Sequence, residues 1–442
     1  MMRVLLINPP MPYQIRGHRQ TPLGLCYLSS MIKPIAESMV FDCNVSENIE
    51  DLVCSFSPDV IGVSVLTATF NSSVEMVSRI SPLTRNGCMF IAGGIHASIY
   101  PEEVLHNGFS LVIRGEGENT FYNVLSAIAS SKCYHGERGI SYTNETGVIV
   151  NNPNADLITD LDKIPFPDRS DLPFHNYEHE SILTSRGCNY RCFYCSSSHY
   201  WGQRIRYRSA ENVFAELMLL YQNGRTNFYF CDDNFASSRE LVRKICRMIL
   251  TEGIHIKWSA LIRVDAIDLS LLRLMKESGC SILSLGIESG LNSFHKTIKK
   301  MSVESIKVAF ERIKQAGIKT RTTWIVGLGD TYEDEYQSLQ LIKELLSEQV
   351  SVHCLIPFPN TEAWNNAEQY GIILERDNFN WDVMNMTYSP HLLDHVGFKH
   401  ITKEQVITLL NVIRNELLPY GYDGLHRKFG TFLDSTIIKV ID

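Results

Sequence analysis

Three cysteines in a short polar loop are the residues of this chain best suited to chemistry. Cys188, Cys192 and Cys195 have the spacing C-x3-C-x2-C and follow an apolar run at residues 182–183. Thiolates are soft ligands, so three at this spacing can hold one metal centre, either zinc or iron–sulfur. Structural zinc normally takes four protein ligands, and His199 is too close in sequence to complete such a site. Three thiolates on a four-iron, four-sulfur cluster would instead leave one iron open to bind and activate a ligand.

The loop resembles the signature of the radical S-adenosylmethionine (SAM) superfamily, C-x3-C-x-aromatic-C, in which Tyr194 supplies the aromatic residue. The resemblance implies that Cys188, Cys192 and Cys195 bind a 4Fe-4S cluster whose open iron chelates the amino and carboxylate groups of SAM. An electron from the cluster then cleaves SAM to a 5'-deoxyadenosyl radical. The resemblance also implies an electron donor such as flavodoxin or ferredoxin.

The composition is that of a folded protein with two or three domains. Of 442 residues, 44% are hydrophobic and 20% are charged. The net charge of -8 disfavours nucleic-acid binding through the overall charge of the protein. No apolar run approaches the ~20 residues that span a membrane, and residues 1–10 are typical of a strand and a Pro-Pro turn, not of a signal peptide. We therefore expect a cytoplasmic protein with neither a nucleic-acid nor a membrane partner. We expect its nine other cysteines to be reduced and mostly buried.

Residues 1–134 predict an α/β domain with a doubly wound, flavodoxin- or Rossmann-like parallel sheet. Short apolar runs bounded by turn residues alternate with helix-like stretches, as buried parallel strands require. The predicted strands are 4–7, 60–65, 89–92 and 111–113, and the predicted helices are 24–36, 70–80 and 118–130. Ligands of such sheets bind at the carboxyl ends of the strands. The motif G-x-G-x-x-G is absent after the first strand, which disfavours NAD.

Glycines, hydroxyl-bearing residues and one leucine lie at three of these strand ends. They are Ser64, Leu66, Thr67, Gly93, Gly94 and Gly115. Glycines allow a bulky ligand to approach the backbone, and hydroxyl groups can donate hydrogen bonds to it. Ordinary tight turns of a flavodoxin-like domain would use the same residue types, so the residues alone leave both interpretations open.

Taken with the cysteine loop, this domain resembles the cobalamin-binding domain of cobalamin-dependent radical SAM enzymes. In that family an S-x-L element, here residues 64–66, and a G-G element, here Gly93 and Gly94, line the pocket for the dimethylbenzimidazole tail. The chain departs from the fuller fingerprint because no D-x-H-x-x-G follows the first strand. Arg16 occupies the place of the aspartate, and we interpret His18 as a surface loop residue. The departure leaves the lower axial ligand of cobalt open.

Three further segments complete the chain. Residues 135–179 predict a linker with a hairpin, and residues 180–358 predict six βα repeats that resemble the partial (β/α)6 barrel of radical SAM enzymes. Residues 359–442 predict a small, mostly helical segment; the resemblance implies that it closes the barrel and contacts substrate. The predicted barrel strands are 181–184, 227–231, 255–259, 281–287, 320–326 and 350–356, and the helices are 210–221, 239–250, 269–277, 303–315 and 334–346.

Polar residues and a glycine follow the barrel strands, where the resemblance places SAM. Asp232 and Asp233 follow the second strand and could pair with an ammonium group such as that of SAM. Arg263 follows the third and could pair with a carboxylate, although a surface arginine is equally consistent. Glu288 lies between two glycines after the fourth strand and can reach ribose hydroxyls. Gly327 lies in the turn after the fifth strand, which the resemblance places near adenine.

These patterns favour a cobalamin-dependent radical SAM methyltransferase that acts on an unactivated carbon or phosphorus of a small-molecule natural product. In the mechanism that the resemblance implies, the deoxyadenosyl radical abstracts hydrogen and the substrate radical takes methyl from methylcobalamin. The alternative is a dehydratase, cyclase or rearranging enzyme whose first domain is structural or uses cobalamin differently. A third hypothesis is a non-catalytic cofactor carrier.

Overall fold

The computed structural model describes residues 1–12, 20–202, 204–329, 331–377, 379–385 and 389–417. Our interpretation of Arg16 and His18 lies outside these residues. None of the helices in the described ranges is long and apolar enough to cross a bilayer.

The first unit is built on a seven-stranded sheet of order β2-β1-β3-β4-β5-β6-β7, parallel from β2 to β5 and antiparallel from β5 to β7. Its strands are β1 (Met2–Asn8), β2 (Ala36–Asp42), β3 (Val60–Ser64), β4 (Met89–Gly93), β5 (Leu111–Ile113), β6 (Ile140–Thr143) and β7 (Ile149–Asn151). Its helices are α1 (Leu23–Ile32), α2 (Ile49–Phe56), α3 (Phe70–Ile80), α4 (Ile95–Ile99), α5 (Pro101–His106) and α6 (Glu118–Ala129). The side chains of residues 4–7 in β1 are fully buried, because helices cover both faces of the parallel part.

Two sequence predictions for this unit need correction. The predicted helix 24–36 ends at Ile32, and Ala36 begins β2, which the sequence analysis missed together with α2. β2 is an edge strand with partly exposed residues, so it lacks the apolar run of a buried strand. The hairpin assigned to a linker forms β6 and β7 and extends the first sheet to Asn151, well beyond residue 134.

The second unit is a six-stranded parallel sheet of order β15-β14-β13-β12-β11-β8, as expected for a partial barrel. Its strands are β8 (Glu180–Ile182), β11 (Asn227–Phe230), β12 (Lys257–Ile262), β13 (Cys280–Glu288), β14 (Lys319–Val326) and β15 (Gln349–Cys354), with β9 (Ser185–Arg186) and β10 (Arg206–Tyr207) as a separate antiparallel pair. Its helices are α7 (Ser197–Trp201), α8 (Ala210–Gln222), α9 (Arg239–Thr251), α10 (Leu269–Glu277), α11 (Asn292–Phe294), α12 (Val303–Gln315) and α13 (Tyr332–Leu345).

The barrel strands alternate between two environments. In β14, Trp324 is buried in the core between the sheet and the helices, whereas Arg321 and Thr323 are only half-buried. β12 follows the same alternation, with Trp258 in the core. Successive side chains of a strand point to opposite faces, so one face packs on the helices and the other is free to line the inside of the barrel.

The C-terminal part joins both units. It contains α14 (Glu362–Asn365), β16 (Ile372–Leu374), α15 (Ser389–Leu392), β17 (Val396–Phe398) and α16 (Lys403–Leu417), with β16 and β17 paired antiparallel. Trp381 donates its indole N–H to Glu103 Oε1 at 3.0 Å, and its ring centroid lies 5.2 Å from that of His96 and 5.4 Å from that of Tyr100. Phe398 packs against the turn after β14. This segment therefore contacts the first unit and the barrel.

Candidate active site

A cavity of about 350 Å³ opens at the carboxyl ends of β3, β4 and β5. Five of the predicted pocket residues line it: Ser64, Leu66, Gly93, Gly94 and Gly115. The sixth, Thr67, is buried and does not line the cavity. Most of the wall is apolar side chain and bare backbone, which suits a flat heteroaromatic group better than a charged one.

Two adjacent glycines in this wall have different roles. Gly94 has φ +97°, and a Cβ there would lie 2.7 Å from the carbonyl oxygen of Val65. A side chain is therefore excluded at Gly94 by both backbone conformation and space. A Cβ on Gly93 would lie 3.7 Å from the Ile113 carbonyl oxygen, which is ordinary contact. Gly94 is required by the turn, whereas Gly93 leaves room in the cavity itself.

The barrel supplies another part of the cavity wall, which the sequence analysis missed. Arg186, Tyr200 and Trp201 line the cavity beside residues of the first unit. Tyr200 donates its hydroxyl to the Gly115 carbonyl at 3.0 Å. These residues flank the cysteine loop on its two sides, so the strand-end cavity and the loop are neighbours in space.

The cysteine loop itself is compact. Cys192 is buried, Cys188 and Cys195 are partly buried, and the Cys195 amide donates to the Cys192 carbonyl at 3.0 Å. Burial raises the pKa of Cys188 and of Cys195, and the charges of the neighbouring thiolates raise them further. Thiolates that repel one another in this way are favoured only when a cationic centre is bound near them.

Three thiolate donors are ligands of the kind that a 4Fe-4S cluster takes. Within the described ranges, no three His, Cys, Asp or Glu side chains are grouped closely enough to hold one metal ion. The irons of a cubane cluster occupy separate corners, so its thiolates do not need to meet at one point.

Tyr194 places a buried polar atom beside the loop. Its hydroxyl has no hydrogen-bond partner among the described residues, and its ring lies 6.0 Å from the Lys299 ammonium. Burial and the nearby carboxylate of Glu288 raise the pKa of Tyr194. A buried hydroxyl without a partner normally has one supplied by water or a ligand.

Asp232 and Asp233 hold opposite sides of the cysteine loop. Asp232 is buried and accepts hydrogen bonds from the Thr184 hydroxyl at 2.8 Å and the Ser185 hydroxyl at 2.6 Å. Asp233 accepts from the Ser197 hydroxyl at 2.6 Å. The sequence analysis assigned both carboxylates to an ammonium group. The structure instead gives Asp232 partners that position the start of the loop.

Burial raises the pKa of Asp232 to about 6, and the hydrogen bonds from Ser185 and Thr184 oppose this shift. Burial also raises the pKa of Asp233, which is less enclosed. Asp233 is therefore the better placed of the two to meet a cationic ligand.

Arg263 is enclosed and is not a surface arginine. It is 9% exposed, pairs with Asp265 at 3.1 Å and donates to the Lys299 carbonyl at 2.6 Å. Its guanidinium lies 3.6 Å from the ring centroid of Tyr190, in the cysteine loop. Such a cation–π contact fixes the loop from a third side.

Glu288 forms an ion pair in a strained turn at the end of β13. Its carboxylate lies 3.1 Å from the Lys299 ammonium, and both side chains are nearly buried. Glu288 has φ +72°, which is unusual for a residue with a side chain, and Lys299 ends a π-helical turn (His295–Lys299). Strained backbone and π-turns both concentrate at functional sites.

Gly327 begins a turn that the C-terminal part covers. It has φ +106°, and its amide and that of Gly329 each donate to Glu335 Oε1 at 2.8 Å. His400 Nε2 lies 3.2 Å from the same oxygen. A Cβ at Gly327 would lie 2.6 Å from the ring of Phe398, so the turn closely contacts the C-terminal part.

Two family models match the chain. Residues 182–342 match the radical SAM superfamily, and residues 16–125 match the B12 binding domain. An uncharacterized methyltransferase of Pyrococcus horikoshii is 30% identical over 431 residues, which span 92% of this chain and 91% of that protein. The chain therefore belongs to the radical SAM superfamily, among the enzymes that carry a B12-binding domain.

Solved structures share this architecture. The radical SAM methyltransferase TsrM from Kitasatospora setae, with cobalamin and a [4Fe-4S] cluster bound, has a TM-score of 0.73 at 20% identity over 86% of this chain and 78% of that one. The cobalamin-dependent SAM radical enzyme OxsB, with aqua-cobalamin and SAM bound, has a TM-score of 0.78 at 17% identity over 99% of this chain and 71% of that one. At these identities the comparison establishes the fold.

Proposed function

We propose that this protein is a cobalamin-dependent radical SAM methyltransferase that methylates an unactivated carbon or phosphorus of a small molecule. One observation carries the proposal: residues on both sides of the cysteine loop also line the cavity at the strand ends of the B12-binding domain. Two cofactors bound at these places would face one shared space. The similarity to the Pyrococcus methyltransferase supports methyl transfer over dehydration, cyclisation or rearrangement.

In this proposal the candidate residues fall into three sets. Cys188, Cys192 and Cys195 hold a 4Fe-4S cluster. Tyr194, Asp233, Arg263, Glu288 and Gly327 surround SAM, and Ser64, Leu66, Gly93, Gly94 and Gly115 enclose the cobalamin tail. Asp232 moves from the SAM set to a positioning role, because its carboxylate is already bound to Thr184 and Ser185. Bound together, the cluster and SAM supply a deoxyadenosyl radical, and methylated cobalamin supplies the methyl group.

The chain's own residues would orient SAM and limit water. Asp233, which accepts a hydrogen bond from Ser197 just after the loop, would pair with the ammonium group of SAM, and Lys299 neutralises Glu288 until a ligand competes for that carboxylate. The Tyr194 hydroxyl offers a buried donor. The C-terminal part, which covers the Gly327 turn, would close the open side of the barrel around substrate.

We also infer an electron donor such as flavodoxin or ferredoxin and a cytoplasmic location. Reduction of the cluster requires an external electron. A reducing compartment is consistent with exposed cysteines such as Cys54 and Cys133, which are free thiols.

Product analysis tests the function. Anaerobically reconstituted protein with cobalamin, a reductant and SAM carrying a deuterated methyl group would be incubated with a small-molecule extract of the source cells. We expect S-adenosylhomocysteine, 5'-deoxyadenosine and a product that carries the deuterated methyl. Formation of 5'-deoxyadenosine without S-adenosylhomocysteine or labelled product would favour the non-methylating alternative. Absence of all three would refute radical SAM catalysis.

A further inference from the structure

Both flanks of the cysteine loop are attached to one turn of the B12-binding domain. On the side before Cys188, Arg186 donates to Glu116 at 2.9 Å and to Glu118 at 2.5 Å. On the side after the last cysteine of the loop, Tyr200 donates to the Gly115 carbonyl at 3.0 Å. The turn at residues 115–118 also lines the cavity. A single short segment of the first unit therefore contacts both the cavity and the two ends of the loop.

These contacts are buried and charge-balanced. Arg186 is 5% exposed, and both of its carboxylate partners are buried as well. Arg206, on the strand paired with β9, adds a second cation by donating to Glu116 at 2.7 Å. Two arginines thus offset two glutamates. Buried pairs of this kind keep a fixed geometry, because loss of one partner leaves an unpaired charge away from water.

The backbone between Arg186 and Cys188 is equally constrained. Gly187 has φ +101°, and a Cβ there would lie 2.9 Å from the carbonyl oxygen of Arg204. The backbone of Gly187 therefore packs directly against the Arg204 carbonyl. A displacement of the Arg186 backbone would be passed on to Cys188, two residues later.

We propose that Arg186 and Tyr200 are positioning residues that set the cysteine loop at a fixed distance from the ligand of the strand-end cavity. A ligand in the cavity would contact the turn at residues 115–118 and restrain it further, and this turn holds both ends of the loop. By thermodynamic linkage, an ordered loop in turn raises the affinity of the cavity for its ligand. This inference rests on the proposed binding of cobalamin in the cavity.

Hydrogen exchange of the full-length protein, with its cluster reconstituted, tests the link. Hydroxocobalamin added to the wild type should slow amide exchange in residues 185–202 as well as around the cavity. Tyr200→Phe removes one hydroxyl from the link and should reduce this remote protection while exchange around the cavity still slows. Tyr207→Phe is the matched control, because the Tyr207 hydroxyl contacts Ser237 on the surface and not the turn. Equal protection of residues 185–202 in wild type and Tyr200→Phe would overturn the role of Tyr200.

A distance measurement tests the role of Arg186. In protein that holds cob(II)alamin and a reduced cluster, pulsed electron paramagnetic resonance reports the separation of the two spins. We expect one narrow distance in the wild type, a broader distribution in Arg186→Gln and partial recovery in Arg186→Lys, which restores the charge. Cobalamin affinity should fall about fivefold in Arg186→Gln, at the lower end of typical coupling between two sites. An unchanged narrow distance in Arg186→Gln would overturn the proposal.

Failure of the proposed function and failure of the positioning role give different results. If the wild type binds no cobalamin, the proposed function fails. If the wild type binds cobalamin and both variants match it in exchange and in spin distance, the function stands and the positioning role fails. Should Arg186→Gln not fold, two milder variants still test the proposal: Tyr200→Phe keeps the aromatic ring, and Arg186→Lys keeps the charge but loses the two-nitrogen fork.

Discussion

The strand-end cavity and the cysteine site lie side by side but are built on different principles. Around the cavity, recognition depends on shape: glycines leave backbone exposed, and apolar side chains form most of the wall. Around the cysteines, nearly every polar side chain is engaged by a charged or hydrogen-bonded neighbour, such as Asp232, Arg263 or Glu288. The first site should therefore respond to changes in volume, and the second to changes in charge.

Loss of a cysteine ligand should have the largest effect on the charged site. Cys192→Ala removes the most buried thiolate of the three and should abolish cluster assembly, because two thiolates cannot hold the cubane. Iron analysis and the near-ultraviolet and visible spectrum of anaerobically reconstituted protein measure this. Cys246→Ala changes another buried cysteine outside the loop and should retain the cluster. A full iron content in Cys192→Ala would refute the ligand assignment.

Filling the cavity should be the most damaging change at the shape-dependent site. Gly93→Val places two methyl groups beyond a Cβ that the backbone tolerates, so the fold should survive. Cobalamin affinity should fall roughly 5- to 150-fold, since overpacking a close-fitting site costs about 1–3 kcal/mol. Equilibrium dialysis of cobalamin measures this. Gly136→Val is the control, because a Cβ added at Gly136 would meet no atom within 4 Å; equal affinities would show that Gly93 does not face the ligand.

Asp232 gives the charged site a dependence on pH. Burial raises its pKa from 3.8 to about 6, so its contribution to stability is fully present below pH 3.8 and is lost as pH rises through 6. Between pH 4.5 and 7.5 the free energy of unfolding should fall by about 2 kcal/mol from this group. Asp232→Asn should lose that slope in anaerobic urea titrations.

The difference between wild type and variant removes the contribution of other titrating groups to the pH dependence of stability. One such group is His295, because burial lowers its pKa to about 4. Asp268→Asn is a control of opposite sign. Hydrogen bonding from Ser270 lowers the pKa of Asp268 to about 2, so its stabilisation is present above its unfolded pKa and is lost as pH falls. Identical slopes for wild type and Asp232→Asn would show that Asp232 keeps an ordinary pKa.

The smallest effect should come from neutralising a SAM contact without changing its volume. Glu288→Gln should weaken SAM binding about tenfold while iron content stays intact, since one charge-assisted hydrogen bond is weakened. Titration calorimetry on reconstituted protein measures this. Glu311→Gln alters an exposed carboxylate on α12 and should leave affinity unchanged. Unchanged affinity in Glu288→Gln would mean that the Lys299 pair only stabilises the turn.

The sequence predicted the barrel well because its signals are local. Helix 303–315, for example, has the predicted bounds, since Ser302 caps its start and an apolar stripe continues to its end. β2 was missed because an edge strand needs no continuous apolar run. A run or periodic pattern of apolar residues indicates burial, and the residues of an edge strand such as β2 are only partly buried.

The site was predicted by residue type but not by partner. Asp232 was recognised as a carboxylate at a strand end, but the hydroxyl groups that bind it come from Thr184 and Ser185, almost fifty residues earlier. Gly115 was recognised at a strand end, whereas the ion pair of the next residue, Glu116, with Arg186 spans 70 residues. No local pattern encodes such contacts, because they depend on how two units pack.

The docking of Trp381 on Glu103, His96 and Tyr100 gives the protein an intrinsic optical reporter. An indole that is half-buried and hydrogen-bonded emits differently from one in water. The difference in fluorescence between wild type and Trp381→Phe therefore isolates the signal of this contact. Followed during denaturation or ligand addition, that signal would show when the C-terminal part separates from the B12-binding domain, without any added label.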